Sequence, residues 1–341
     1  LDGIRAFSVI AVVWHHTGME NAPQLLRRGF LGVDMFFVLS GFLIVTLLLR
    51  EKDRSGSISL RNFYIRRSLR IFPVYYGLLL GLSAVFLVKS SSETGSVWFS
   101  ELPILLTYTA NIFTVTSFMS IAWSLAAEEQ FYLVWPTVER ASRTVTFAVL
   151  GGAILVSQLI HFRAFTALGM PFEHRLPEML LQTTFTPILF GVVLAHVLHQ
   201  RRGFDAVNRI LGYRMASPIV VVVLVFVLSY APGDITGVPR LSIHLLMVLL
   251  LAASVVREDH ALAPLFRWSL LVRIGATSYG IYLFHMMGRH AVRAGLDRAP
   301  VLDAPGVFFG LTLLVTWGVA ELSFRYFEMP FLKLKKKFQM L

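Results

Sequence analysis

Long apolar runs recur along the chain, separated by short polar connections. At 1.5 Å per residue, about 20 apolar residues cross the ~30 Å hydrocarbon core of a bilayer. That scale predicts helical spans at roughly 3–19, 30–49, 71–88, 123–138, 145–161, 178–198, 217–231, 241–256, 270–288 and 306–323. A further piece, Leu102 to Thr116, is only marginally long enough and contains Pro103, Thr107 and Asn111. No soluble domain or internal repeat interrupts the pattern. The fold expected is all-α: a polytopic transmembrane helical bundle of about ten spans, forming one domain over 1–332 with a basic tail at 333–341.

Basic residues near span ends orient such a bundle, because cytoplasmic loops hold an excess of Lys and Arg. Arg50, Lys52, Arg54, Arg61, Arg66, Arg67 and Arg70 fill the second connection; Arg201, Arg202, Arg209 and Arg214 fill another; Lys333, Lys335, Lys336 and Lys337 lie in the tail. Placing all three in the cytoplasm puts both termini inside and requires an even number of spans. The piece Leu102–Thr116 is therefore expected to be re-entrant or interfacial. Arg27, Arg28 and the arginines of 289–298 go against the rule.

Composition agrees with this reading. Of 341 residues, 56% are hydrophobic and 15% charged, and mean hydropathy is +0.68, against roughly a quarter charged in a typical soluble domain. The net charge of +11 is assigned to loops facing anionic lipid headgroups, not to nucleic acid. With no cysteine in the chain, disulfides and thiolate metal sites are excluded. Leu1 to Thr17 has the length of a signal-peptide core, but Asp2 and the absence of a small-residue cleavage site favour a retained transmembrane helix.

Ionisable groups inside the spans carry the candidate chemistry, since a lone charge in hydrocarbon is costly. On the opening helix, Arg5 and His16 are eleven residues apart, which places them on one stripe with Val9 and Val12 but about 16 Å apart. Residue 16 lies about 22 Å along the helix from Leu1, in the outer half of the membrane. Gly32, Ser40 and Gly41 suit close helix packing, while Asp34 is either hydrated or turned to a cavity. Arg67 and Arg70, one helical turn apart, serve membrane anchoring or a phosphate clamp equally well. Pro73 would stand at the start of its span. Glu128 and Glu129 lie within an apolar helix and point about 100° apart, so one of them at most is expected to face a given cavity. Ser278, Tyr282 and His285 share one helix face, as packing or as a cavity wall. His161, His174, His196, His199, His244, His260 and His290 read as hydrated or interfacial. His15 and His16 diverge on a helix and no span holds an H-x-x-x-H pair, so no metal site is expected.

Taken in order and spacing, LDGIRA through His16, GVDMFFVLSGFLI, RRSLRIFPVYY, WSLAAEEQFYL, SYGIYLFH and SFRYFEMPF resemble the acyltransferase 3 family of integral membrane acyltransferases. The likeness runs from Leu1 to about Leu332. It implies transfer of an acyl group, most often acetyl, from acyl-CoA to sugar hydroxyls of surface polysaccharide, lipopolysaccharide, peptidoglycan or glycosylated small molecules, in a bacterial cytoplasmic membrane. The family's basic-residue-then-histidine signature falls on Arg5 and His16, its R-x-x-R signature on Arg67 and Arg70, and its W-S-L-x-x-E element on Glu128. The resemblance thus implies that His16 acts as general base or acyl carrier and that Glu128 orients or balances a charged neighbour. Arg5 would stabilise anionic charge near the donor, and Arg66, Arg67 and Arg70 would meet the donor phosphates. Acetyl-CoA or another acyl-CoA would be the co-substrate and a sugar-containing molecule the acceptor. Some members carry a fused extracytoplasmic SGNH hydrolase-like domain; nothing in these residues corresponds to one, which leaves room for a separate extracytoplasmic partner protein. A transporter or flippase for a glycan precursor or acyl donor is the alternative, because buried charges around a cavity serve transport too.

Overall fold

The structure, a computed structural model, describes residues 1–18, 22–88, 92–167, 185–233, 235–298 and 304–338; His174 and the beginning of the run at 178–198 lie outside them. The described residues form helices joined by short turns, with no strand among them. Helices of eight or more residues are α1 Asp2–Thr17, α2 Gly32–Ser55, α3 Leu60–Val88, α4 Glu93–Leu106, α5 Ala122–Arg140, α6 Arg143–His161, α7 Thr186–His199, α8 Arg201–Leu211, α9 Ala216–Tyr230, α10 Val238–Val256, α11 Ser269–Ala276, α12 Ser278–Leu296 and α13 Pro305–Leu322.

Five helical stretches among the described residues are long and apolar enough to cross a membrane: Gly29–Ser55, Leu60–Val88, Arg143–His161, Val238–Val256 and Pro305–Lys335. Helices α8 and α9, bent by 72° at their junction, make a sixth if taken as one broken span. Among the described residues, the remaining expected spans are represented by helices that are shorter or more polar. The run at 270–288 is two helices, parted at Thr277, whose hydroxyl donates to the carbonyls of Arg273 and Ile274. The piece Leu102–Thr116 is not one helix: α4 stops at Leu106, and turns follow from Tyr108, which adopts φ +52°. Those turns are held by Asn111 and Gln130, whose side-chain amides pair reciprocally at 2.9 and 2.8 Å.

Leu80, Leu133, Val222, Phe226 and Leu314, on four different helices, stand open on the outside. So much exposed apolar surface suits lipid, not water, and with the apolar helices it makes this a membrane protein. Inside, α1 packs against α2, α11, α12 and α13, with Ala6, Val9, Val12 and Val13 fully buried. The α2–α7 crossing is closer still. A Cβ on Gly41 would fall 2.0 Å from the Ile188 carbonyl oxygen, and one on Gly191 2.2 Å from that of Val38, so the two backbones touch through a pair of glycines.

Several polar residues are placed differently from the sequence expectation. Pro73 lies within α3 instead of opening a span, because the helix already starts at Leu60; its ring frees the Leu69 carbonyl. Arg28 breaks the basic-residue rule because it caps α9. It is buried and donates to the carbonyls of Leu228, Ala231 and Pro232 at 2.7, 2.6 and 2.5 Å, groups that a helix end leaves without partners. His161, His196, His244 and His260 are buried instead of hydrated. His196 meets Glu139 at 3.2 Å, His260 meets Ser217 at 2.8 Å and His244 meets Asp34 at 3.0 Å. Each partner lies more than forty residues away in sequence, beyond the reach of helical periodicity.

Candidate active site

Five helices converge on one cavity. Arg5 reaches it from α1, Ser40 with Phe36 and Phe37 from α2, and Arg67 and Arg70 from α3. From α5 come Ser124, Glu128, Glu129 and Tyr132, and from α12 Ser278, Tyr279 and Tyr282. Position explains the α5 set: residues 124, 128 and 132 are spaced by four and stack on one helix face. Glu128 Oε1 accepts a 2.5 Å hydrogen bond from Ser40 Oγ and lies within electrostatic reach of Arg67 and Arg5. The Arg67 guanidinium sits 3.8 Å over the ring of Tyr132, and its Nε is buried without a hydrogen-bond partner. Arg70 feels the charges of both Arg5 and Arg67. Three guanidinium groups thus face two carboxylates around one space, an arrangement suited to an anionic ligand.

A second, larger cavity lies beside the first, lined by Arg50, Glu51, Arg54, Phe63, Arg66, Arg67 and Lys335 among others. Arg67 belongs to the walls of both. Arg66 does not reach the first cavity. It binds Glu51 at 2.8 Å and the Phe338 carbonyl at 2.9 Å, since adjacent helical residues diverge by about 100°.

Of the residues singled out in the sequence, Arg5, Arg67, Arg70 and Glu128 come together in the first cavity. Glu129 joins them, against the expectation that adjacent carboxylates would not share a space; the cavity is wide enough to meet both directions. His16 does not line it. The distance along α1 that separates it from Arg5 carries it to a neighbouring position, where its Nδ1 lies 3.2 Å from Nε2 of His285 and 3.0 Å from the Val12 carbonyl. Tyr282 stands between: it lines the cavity, and its ring centroid is 5.6 Å from that of His285. The face Ser278–Tyr282–His285 is therefore cavity wall at one end and histidine partner at the other. Ser40, read as a packing residue, hydrogen-bonds Glu128 across 88 residues of sequence, and no local pattern announces such a contact. Tyr132 and Ser124 could have been found by counting four residues either way from Glu128.

No solved structure matches the chain. A protein of Staphylococcus aureus (strain COL) named "Putative O-acetyltransferase" is 30% identical over 358 residues, covering 98% of this chain and 57% of its own length. Peptidoglycan O-acetyltransferase OatA of Listeria monocytogenes is 30% identical over 366 residues, covering 98% of this chain and 55% of its own length. The chain thus spans little more than half the length of these curated relatives. A family model described as an acyltransferase domain matches residues 1–321, and by that match the chain belongs to the acyltransferase 3 family.

Proposed function

We propose that the protein is a membrane-embedded O-acyltransferase that takes an acyl group, acetyl in the simplest case, from acyl-CoA on the cytoplasmic side and passes it to a sugar hydroxyl on the far side. The observation that carries this reading is the shared wall at Arg67. A basic cavity, with Arg50, Arg54, Arg66 and Lys335 against Glu51, adjoins through one guanidinium a second cavity that reaches Arg5 and Glu128. The residues of the basic cavity fit the phosphates of a nucleotide-bearing thioester. Arg50, Arg54 and Lys335 line one space, which supports placing the second connection and the basic tail on the same, cytoplasmic, side.

In the reaction, the hydroxyl oxygen attacks the thioester carbonyl carbon. A C–O bond forms, the C–S bond breaks, and the hydroxyl proton passes through His16 to the departing thiolate. His16 could equally carry the acyl group between two such steps. Arg5, about three helical turns away from His16, and Arg70 bind anionic groups of the donor, and Glu128, anchored by Ser40, fixes the guanidinium groups. The names of the relatives make peptidoglycan glycan strands the first acceptor to offer.

The test supplies labelled acetyl-CoA to purified protein in liposomes with glycan acceptors on the opposite face. Ester-linked label in wild type and none with His16→Ala protein of unchanged elution volume is the expected result. Equal labelling by both proteins removes His16 from the reaction, and solute movement without ester formation returns the reading to transport. Among the described residues only one bent helix pair is found, and it does not line the cavity, so the paired broken helices of many transporters are not evident.

A further inference from the structure

We propose that His285 is a positioning residue that fixes the tautomer of His16 and supports the charge forming on it; the functional part of this proposal rests on His16 handling the hydroxyl proton. His285 is fully buried on α12. Its Nδ1 lies 2.5 Å from the Tyr282 carbonyl oxygen. A carbonyl oxygen only accepts, so Nδ1 of His285 carries the hydrogen, and in a neutral ring Nε2 is then left with a lone pair. That lone pair lies 3.2 Å from Nδ1 of His16, and two ring nitrogens bond only if one of them donates. Nδ1 of His16 must therefore hold the hydrogen.

The second contact of the same atom leads to the same assignment. Nδ1 of His16 also lies 3.0 Å from the Val12 carbonyl, again an acceptor without a proton. The one hydrogen on Nδ1 of His16 is shared between these two acceptors, and both require the same tautomer, leaving Nε2 of His16 as its basic nitrogen.

The consequence for chemistry is specific. When Nε2 of His16 takes a proton from a hydroxyl, the ring becomes a cation whose Nδ1–H already points at an acceptor, the role a carboxylate plays in a serine-hydrolase triad. A neutral imidazole does this here without placing a second net charge in the membrane. The support is itself anchored. Tyr282, whose carbonyl holds His285, is tied by its hydroxyl to Ser124 Oγ at 2.6 Å and to the Ile121 carbonyl at 3.1 Å, next to the cavity that holds Glu128. A packing role alone would need the volume of His285 and not its acceptor.

Two substitutions separate these. His285→Phe keeps the ring and loses the acceptor; His285→Gln places an amide oxygen near the position of Nε2. The first readout is nitrogen-15 NMR of histidine-labelled full chain in lipid nanodiscs, with the His16 signals identified by their loss in His16→Gln protein. Wild type should show a protonated Nδ1 and an unprotonated Nε2, His285→Gln the same, and His285→Phe a rise of the Nε2–H form. The second readout is acetyl transfer from labelled acetyl-CoA. His285→Phe should lower kcat about 100-fold with the KM for acetyl-CoA within about twofold, and His285→Gln should recover to within about tenfold of wild type, as expected for a group assisting proton transfer. Wild-type His16 carrying its hydrogen on Nε2 overturns the proposal, whatever becomes of the variants. So does an equal loss in both variants with the tautomer unchanged. If no acceptor is acylated by wild type, the proposed function falls while the NMR result still decides the tautomer assignment.

Discussion

Two acids on packed helices of the bundle are treated in opposite ways. Asp34, on α2, is tied through both oxygens: Arg240 of α10 donates to each of them, at 3.0 and 3.3 Å, and His244 lies 3.0 Å away. Glu128, on α5, has Ser40 as its close hydrogen-bonding partner and otherwise faces an open cavity with Arg5 and Arg67 across it. Both contacts are organised by α2, because residues 34 and 40 point about 120° apart on the helix. A carboxylate tied through both oxygens to side chains of a neighbouring helix is a fastener between helices. One that keeps hydrogen-bonding capacity inside a cavity can respond to a ligand.

Four substitutions would break or sharpen that contrast. The largest effect is expected from Asp34→Ala, which strands the Arg240 guanidinium between helices. Loss of one partner of a buried pair costs about 3–5 kcal/mol, to be seen as a lower melting temperature while turnover per folded molecule stays near wild type. Glu128→Gln should do the reverse, lowering turnover about 100-fold, the scale of a lost charged group in an active site, with the melting temperature nearly unchanged. Arg67→Ala should raise the KM for acyl-CoA about tenfold, equivalent to about 1.4 kcal/mol of phosphate binding, and should reduce the salt dependence of that KM. Ser40→Ala is the mildest, a loss of about threefold in turnover from one net hydrogen bond of about 0.5–1 kcal/mol. If Asp34→Ala instead abolished turnover in folded protein, or Glu128→Gln unfolded it, the division between fastener and reactive group would be reversed.

How much of this could be read from the chain depended on the range of the interaction. Apolar runs disclose helices because hydrocarbon forces backbone groups to bond within their own segment, and runs such as 145–161 and 241–256 match α6 and α10 closely. A meeting of Arg5 with Glu128 was also legible, since charges in apolar segments need partners, but His16, which the same argument includes, stands outside their cavity. Helical spacing would have added Ser124 and Tyr132. It could not supply Ser40 to Glu128, Arg240 to Asp34 or His285 to His16, because these pairs are set by which helices neighbour which, information that lies outside any single helix. The same ignorance of neighbours made His244 and His196 look hydrated. The adjacent pair Glu128–Glu129 failed for another reason: the 100° divergence is real, but the width of the cavity was not knowable from one helix.

The backbone contact at Gly41 has a consequence for how the chain tolerates change. Gly41 adjoins Ser40, and any side chain there would have to displace the Ile188 carbonyl, prising α2 from α7 and dragging the Ser40 hydroxyl off Glu128. In a saturation scan scored by turnover, a position with no functional group of its own should therefore be as intolerant as the acid it helps to aim. Selection at such a residue would guard a separation between two helices, and a map of damaging variants would trace that seam as well as the reactive groups.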